Sequence, residues 1–192
     1  VAEVAGLLGM KVLLNDPPRA RREGSGAFVS LDYLVENSDI ISLHVPLQKE
    51  GEDATWHLFD SDRLAGMRPD QFLFNSSRGP VVDNKALKEA LVSRKIRGAV
   101  LDVWEGEPDI DRELMDLLEY STPHIAGYSY QGKMNGTAMA VQAVARRFGI
   151  FQLYDFYPKE HPDDVPQKLE LTGMSQGEIA AAFQYNYPIF AD

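Results

Sequence analysis

Five short apolar runs, separated by helical patterns, constrain the fold of this 192-residue chain more than any other feature. Strands are predicted over residues 11–15, 39–44, 71–75, 98–103 and 120–122. Runs that are apolar on both faces indicate buried strands of a parallel sheet, and intervening helices are typical of βαβ units. The sequence therefore predicts an α/β fold, a doubly wound parallel sheet covered by helices on both faces.

The helices are predicted from apolar spacing and from capping residues. An amphipathic run ends near Gly9, Ser30 or Asp32 begins a short helix, and residues 19–25 are predicted as a loop. Further helices are predicted after Asp60 or Ser61, over 84–93 after Asp83, over 112–118 and over 136–148. The composition changes after Ile150, so we expect one domain over 1–150 and the start of a second over 151–192, where Ser175 and Glu178 form a capping box.

Both ends of the sequence suggest a piece of a longer protein. The chain opens on Val1 inside a helical pattern that no capping residue precedes, and it stops in an aromatic segment over 180–192. A complete small protein with frayed ends is the alternative.

Composition narrows the classes of function. The net charge of −10 disfavours nucleic acid as a partner. Cysteine is absent, which excludes disulfide scaffolds and thiol catalysis and is compatible with a reducing cytoplasm. We find no apolar run of the roughly 20 residues that a membrane helix needs, no signal peptide and no metal-ligand spacing.

Polar side chains follow the predicted strands where each strand ends: Asp16, His44, Asn75 to Arg78, Asp102 to Glu107, and His124. Parallel sheets bind ligands at the carboxyl ends of their strands. We therefore expect these side chains to form one site.

Asp16 follows the first predicted strand, where a dinucleotide-binding unit carries a carboxylate for the adenosine ribose. Its charge would repel the extra phosphate of NADP and favour NAD, although Arg19 and Arg21 lie close in sequence. The glycine fingerprint of such a unit would fall ahead of Val1, so a Rossmann-type sheet would be incomplete on its N-terminal side. A helix cap or a turn before Pro17 and Pro18 is the alternative role of Asp16.

Arg78, Glu107 and His124 follow three successive strands and together could oxidise a 2-hydroxy acid. Arg78 would hold a carboxylate, His124 would take the hydroxyl proton, and Glu107 would orient His124. The structural alternatives are a surface salt bridge, an acidic loop and a packed histidine. Asp102 could touch the nicotinamide half of a cofactor or cap a loop. The other histidines, His44, His57 and His161, are weaker candidates, and His57 and His161 lack a matching partner.

Three motifs resemble the successive signatures of the NAD-dependent D-2-hydroxyacid dehydrogenases. They are Asn75-Ser76-Ser77-Arg78-Gly79 with Val81-Val82-Asp83, Leu101-Asp102-Val103 through Glu107-Pro108, and Thr122-Pro123-His124-Ile125-Ala126-Gly127. Further features resemble one member that acts on a phosphorylated 2-hydroxy acid: Asp16-Pro17-Pro18-Arg19, the form Asp102-Val103-Trp104-Glu105-Gly106-Glu107-Pro108, and Tyr128 followed by Gly132-Lys133 and Gly136-Thr137. The resemblance covers residues 1–150 well and continues more weakly into 151–192.

The resemblance implies catalytic Arg78, Glu107 and His124. It also implies NAD contacts at Asp16, Val45, Ser76, Ser77, Arg78, Asp102 and Gly127, and a substrate contact at Tyr128. Val45 stands where many relatives have threonine, so only a backbone contact is expected there.

For the whole protein, the resemblance implies a phosphorylated small-molecule substrate, a cytoplasmic homodimer, and a C-terminal dimerisation domain that begins within 151–192. We expect no nucleic-acid, membrane or metal partner. The alternatives are another D-2-hydroxyacid dehydrogenase, of the phosphoglycerate or glyoxylate type, and a non-catalytic NAD-sensing corepressor. The chain alone is expected to bind NAD poorly and to be inactive.

Overall fold

A four-stranded parallel sheet organises the computed structural model, which describes residues 1–159, 173 and 175–186. The strands are β1 (Ile40–Leu43), β2 (Phe72–Asn75), β3 (Gly98–Leu101) and β4 (Tyr120–Ser121). They lie in the order β1-β2-β3-β4, so each strand pairs with its neighbour along the chain. The carboxyl ends of consecutive strands therefore lie side by side, and the four sequence predictions from residue 39 onward are confirmed.

Helices connect and flank these strands. In chain order they are α1 (Ala2–Leu7), α2 (Pro17–Glu23), α3 (Leu31–Asn37), α4 (Ser61–Gly66), α5 (Asn84–Val92), α6 (Arg112–Leu117), α7 (Tyr130–Phe148) and α8 (Gln176–Asn186). The crossovers between successive strands carry α4, α5 and α6, and α5 packs against both α4 and α6. Parallel strands require such crossovers, because a tight turn cannot return the chain to the same end of the sheet.

Short polar side chains start most of these helices by accepting a backbone N–H that has no partner within the helix. Ser30 caps α3 through Tyr33, Asp60 caps α4 through Arg63, and Asp83 caps α5 through Ala86. Ser30 is thus the cap of α3, and the alternative Asp32 lies in the first turn of that helix.

The core lies on one face of the sheet, where alternate strand residues are buried: Ile41, Leu43, Leu73, Ala99 and Leu101. Leu64, Leu87 and Leu114 of α4, α5 and α6 are buried with them. The opposite face of β1 and β2 is less well covered, since Ile40 is exposed and Phe72 and Phe74 are half-buried. The sequence predicts that both faces of the sheet are buried, but in the structure mainly one face is.

The predicted first strand is wrong as a strand. Residues 11–15 have no regular secondary structure and form no ladder, and the Leu14 carbonyl accepts one bond from the Val29 N–H. An apolar run becomes a strand only where another strand offers its backbone groups, and no described segment pairs with this one.

Two helices also differ from prediction. Residues 19–25 were expected to be a loop, but α2 occupies Pro17–Glu23. Asp16 caps α2 and prolines stand at its first two positions, where their fixed φ and missing N–H are harmless. Helix α7 starts at Tyr130, six residues before the prediction, because the Ser129 hydroxyl accepts the Gly132 N–H.

The chain divides into two compact units, Val1–Ala126 and Gly127–Asp192. In the second unit, Ser175 and Glu178 exchange the hydrogen bonds of the predicted capping box at the start of α8. The sequence-based boundary at residue 150 stays a prediction, and much of the expected second domain lies outside the described residues. Within the described part of the chain, no helix is long and apolar enough to cross a membrane.

Replacing Gly79 with alanine should destabilise the first unit, because a Cβ at this position would stand 1.9 Å from the Trp104 carbonyl oxygen. We expect a loss of about 1–3 kcal/mol in the free energy of unfolding, the usual cost of overpacking. Urea unfolding of the protein expressed from its complete reading frame measures it. Gly66→Ala is the matched control, because nothing lies within 4 Å of a Cβ there, and equal stability of the two variants would contradict the prediction.

Candidate active site

Three loops at the carboxyl edge of the sheet carry the predicted catalytic residues. Arg78 follows β2, Glu107 follows β3 and His124 follows β4. Because β2, β3 and β4 are consecutive neighbours, these loops leave the sheet next to one another. The expectation that polar residues gather at one edge is confirmed for these loops.

Glu107 and His124 form a direct pair. One oxygen of Glu107, Oε2, lies 2.8 Å from His124 Nδ1, and the other, Oε1, accepts the Trp104 N–H at 2.8 Å. The carboxylate is thus held by its own loop while it holds the imidazole. His124 has a φ of 60°, an uncommon conformation for a residue with a side chain. A bond at Nδ1 fixes the ring and leaves Nε2 as the nitrogen that can exchange a proton with a substrate.

Arg78 belongs to a turn that the buried Asn75 side chain organises. The Asn75 Oδ1 accepts both the N–H and the hydroxyl of Ser77, and its Nδ2 donates to the Arg78 carbonyl at 3.0 Å. The Arg78 guanidinium is exposed, donates to the Ser77 carbonyl at 2.6 Å, and forms no ion pair with a described carboxylate. An exposed guanidinium without such an ion pair can bind the carboxylate of a ligand with two parallel hydrogen bonds.

Asp102 anchors the loop that bears His124. Its carboxylate is 5% exposed and accepts the Thr122 hydroxyl at 2.6 Å and the N–H groups of Ile125 and Ala126 at 2.7 and 2.9 Å. The residues on both sides of His124 are thus fixed to one side chain. This is the loop-cap role considered for Asp102, and its contact with a cofactor stays a prediction.

His57 has a carboxylate partner, so the expectation that it lacks one is wrong. Its Nε2 lies 2.7 Å from Glu105 Oε1, in the loop that also carries Glu107. The two residues are 48 positions apart, a separation that no local sequence pattern connects. Only the fold brings them together.

A cavity of about 440 Å³ lies beside the carboxyl end of β1, lined by Asp16, Arg19, His44, Val45 and Asp53 among others. Its volume is in the range of small-molecule sites. The Ser42 hydroxyl lies 2.8 Å from His44 Nε2, and burial lowers the pKa of His44. The Asp53 Oδ1 is a buried oxygen without a described partner, and an incoming donor could satisfy it. Asp16 and Val45 thus line the same cavity, and their contact with a cofactor stays a prediction.

The arginines near Asp16 are already engaged. Arg19 binds Glu23 within α2 at 2.8 Å, and hydrogen bonds from Arg19 and Arg22 lower the pKa of Glu23 to about 2. Arg21 pairs with Asp53 and Glu52. The Asp16 side chain accepts only the Arg19 N–H at the start of α2. The negative charge of Asp16 therefore has no described ion pair.

Gly127 and Tyr128 begin the second unit. Tyr128 is 71% exposed, and the Lys133 ammonium lies 3.7 Å from the centre of its ring. A hydrogen bond from Lys133 and its charge lower the pKa of the Tyr128 hydroxyl. The predicted roles of Gly127 and Tyr128, and those of Ser76 and Ser77, stay predictions. The described residues contain no cluster of side chains suited to a metal ion.

Comparison with known proteins agrees with the motifs. Residues 1–126 match the family described as D-isomer specific 2-hydroxyacid dehydrogenase, NAD binding domain. The chain is 57% identical over 139 residues to an erythronate-4-phosphate dehydrogenase of Pseudomonas entomophila, an alignment that covers 72% of this chain and 36% of that relative. The chain thus spans well under half the length of this curated relative.

Solved structures show the same fold. A D-lactate dehydrogenase from Aquifex aeolicus, complexed with NAD and lactic acid, is 32% identical with a TM-score of 0.63 over 80% of this chain and 51% of its own. An NADPH-dependent glyoxylate/hydroxypyruvate reductase from Sinorhizobium meliloti is 30% identical with a TM-score of 0.58 over 68% of this chain and 40% of its own. The two neighbours differ in cofactor, so the fold alone does not decide between NAD and NADP.

Asp102→Asn should loosen the His124 loop, because an amide NH₂ would replace one of two acceptor oxygens and face a backbone N–H. We expect a loss of about 1–3 kcal/mol in the free energy of unfolding, the cost of leaving a buried group unsatisfied. Urea unfolding and amide hydrogen exchange at Ile125 and Ala126 measure it. Asp62→Asn on the exposed first turn of α4 is the control, and unchanged exchange at Ile125 and Ala126 would show that Asp102 does not anchor the loop.

Proposed function

The chain belongs to the D-isomer specific 2-hydroxyacid dehydrogenase family through its NAD-binding domain, and from that membership we propose that its protein oxidises a phosphorylated 2-hydroxy acid with NAD. The observation that carries the proposal is the Glu107–His124 pair on the loops next to Arg78. We infer that the substrate is 4-phospho-D-erythronate and that the product is the 2-oxo acid, 3-hydroxy-2-oxo-4-phosphobutanoate.

Arg78 binds the substrate in this mechanism. Its guanidinium takes the carboxylate of the hydroxy acid with two parallel hydrogen bonds. This fixes the adjacent C2 and its hydroxyl relative to the sheet edge. A positioned carboxylate restricts the substrate to one approach, which is how such clamps lower a barrier.

His124 moves the proton. Its Nε2 accepts the hydrogen of the C2 hydroxyl as general base, and the imidazolium that forms is stabilised by Glu107 at Nδ1. The bond from the Trp104 N–H keeps the Glu107 carboxylate in place during this change of charge. In the reverse direction the same imidazolium returns the proton to the oxygen.

The cavity beside β1 fits the adenosine half of NAD, because it offers Asp16 for the ribose hydroxyls and an unsatisfied Asp53 oxygen for another donor. Val45 would contribute backbone groups, and Ser76, Ser77, Asp102 and Gly127 complete the proposed cofactor contacts. NAD held there would supply the acceptor for the hydride that leaves C2.

The choice of substrate rests on relatives that carry the name erythronate-4-phosphate dehydrogenase at 50% to 57% identity. Tyr128 would contact this substrate. A role in vitamin B6 biosynthesis and a homodimer formed through a C-terminal domain are part of the proposal, as the resemblance of the motifs implies. A cytoplasmic location is part of the proposal and is compatible with the absence of cysteine.

A substrate panel tests the proposal on the protein expressed from its complete reading frame. NADH formation is followed with 4-phosphoerythronate, 3-phosphoglycerate, glycolate and D-lactate at equal concentrations. We expect the highest kcat/KM with 4-phosphoerythronate. Preference for phosphoglycerate would assign the protein to a different dehydrogenase of the family, and NAD binding without turnover of any of the four would favour the non-catalytic alternative.

Variants in the same assay test the assigned roles. His124→Asn should lower kcat by about two to four powers of ten, the usual contribution of a general base. Arg78→Ala should weaken transition-state binding by about 2–5 kcal/mol, as for other lost charge pairs. Arg63→Ala breaks an exposed ion pair with Asp32 and serves as control, so a loss in Arg78→Ala no larger than in this control would remove Arg78 from the mechanism.

Asp16→Asn should shift cofactor preference towards NADP. The amide still caps α2, since asparagine is as good a cap as aspartate, but the negative charge beside the ribose is gone. We expect the ratio of Kd for NADP to Kd for NAD to fall about tenfold, as removal of one like charge implies. Calorimetric titration with both cofactors measures the ratio. Adding Glu23→Gln frees Arg19 from its ion pair and should lower the ratio further. A ratio that is unchanged in both variants would exclude Asp16 from cofactor selection.

A further inference from the structure

A second histidine–carboxylate pair lies next to the catalytic loops. His57 Nε2 is 2.7 Å from Glu105 Oε1, and both side chains are mostly buried, at 30% and 27% exposure. His57 takes no part in the proposed chemistry, and Glu105 is two residues from Glu107. A hydrogen bond in a half-buried setting between distant chain segments restrains both of them more than an exposed pair would.

Glu105 also joins the β3 loop to the start of α5. Its second oxygen accepts the Asn84 N–H at 2.9 Å, and the Asn84 side-chain oxygen accepts the Glu105 N–H at 3.1 Å. Asn84 is itself buried and donates to the Val82 carbonyl. One Glu105 oxygen and the Asn84 side-chain oxygen thus hold the β3 loop against the start of α5.

The segments joined by Glu105 carry catalytic residues. Residues 78–84 begin with Arg78, and Gly79 packs so closely on the Trp104 carbonyl that no side chain fits between them. Trp104 donates its N–H to the Glu107 carboxylate. A shift at Glu105 therefore reaches Glu107 through two peptide units, and a shift at residues 79–84 reaches Arg78.

The backbone around His57 is fixed to residues 80–83, so the His57 side chain can restrain Glu105. Its N–H donates to the Pro80 carbonyl, and the following Phe59 pairs by backbone bonds with Val81 and Asp83. The Trp56 ring stacks on the imidazole at 4.8 Å between centres. His57 has a φ of 47°, a left-handed conformation that costs free energy and persists only where its surroundings enforce it.

We propose that His57 and Glu105 are positioning residues, which hold the Glu107 and Arg78 loops in register so that His124 meets the substrate correctly. This inference rests on the proposed dehydrogenase function. It assigns no proton transfer to His57. The His57–Glu105 bond acts only through geometry, by restraining the Trp104–Glu107 loop against residues 78–84.

His57→Phe and Glu105→Gln test the inference in the protein expressed from its complete reading frame. Phenylalanine keeps the stacking on Trp56 and removes the bond to Glu105, and glutamine removes one of the two acceptor oxygens. We expect kcat to fall about tenfold in each variant, since small misplacements of reacting groups are costly. The KM for NAD should stay within about twofold, because the Asp16 cavity is untouched. His57→Gln, which can still donate to Glu105, should recover most of the lost rate.

A purely structural role makes different predictions. Lys88→Gln breaks an ion pair between α5 and α6 and is the matched control for general loosening. The double variant His57→Phe/Glu105→Gln should be no slower than the slower single variant, because both substitutions alter the same contact between His57 and Glu105. The ¹⁵N resonances of the His124 imidazole, recorded without cofactor, should move in both single variants and not in Lys88→Gln.

The outcomes separate the proposed dehydrogenase function from the positioning role of His57 and Glu105. A wild-type protein that turns over none of the 2-hydroxy acids contradicts the proposed function, whatever the variants do to the His124 resonances. Wild-type turnover with an unchanged kcat in His57→Phe and Glu105→Gln overturns the positioning role. So does a loss of kcat that His57→Gln fails to recover, or one that is matched by Lys88→Gln.

Discussion

Parallel pairing of four strands in chain order is the constraint on which the rest of this structure depends. It places the ends of β2, β3 and β4 next to one another, so the loops that carry Arg78, Glu107 and His124 leave from adjacent points. No long-range interaction between these side chains is needed to bring them together. The backbone ladder supplies the arrangement, and the side chains have only to fix the loops above it.

Buried polar side chains fix the loops above the carboxyl edge of the sheet. Asn75, Ser77, Asn84 and Asp102 are buried at the carboxyl edge, and each is hydrogen-bonded to the backbone or to a neighbour in a loop. Beyond the last residue of a strand the backbone loses its ladder partners, and unsatisfied N–H groups in a buried place are costly. Side-chain oxygens that accept those N–H groups therefore determine the loop conformations, and with them the directions in which the proposed catalytic side chains leave the sheet.

The sequence was most informative where one local pattern decides the structure. Each predicted strand from residue 39 onward and the caps at Asp60 and Asp83 depend on neighbouring residues alone, and all are confirmed. Residues 11–15 could not be settled in this way, because a strand also needs a partner. The prediction of a loop over 19–25 is wrong, because a polar segment can also form an exposed helix. In α2 the charged side chains of Arg19 and Glu23 pair along the helix. The His57–Glu105 bond was invisible in the sequence, since it joins residues that only the fold makes neighbours.

The loop that carries Glu105 and Glu107 belongs to a chain with a net charge of −10. A negative net charge disfavours the approach of an anion, and the proposed substrate carries both a carboxylate and a phosphate. Glu107 and Glu105 keep their negative charges, but each accepts two hydrogen bonds from its own chain, which fix their oxygens within the loops. Arg78, in contrast, donates one hydrogen bond from its guanidinium to the described residues, to the Ser77 carbonyl. Its other guanidinium N–H groups can donate to a ligand. Arg78 thus offers a positive charge at the sheet edge of a negatively charged chain, which agrees with the proposed recognition of a 2-hydroxy acid.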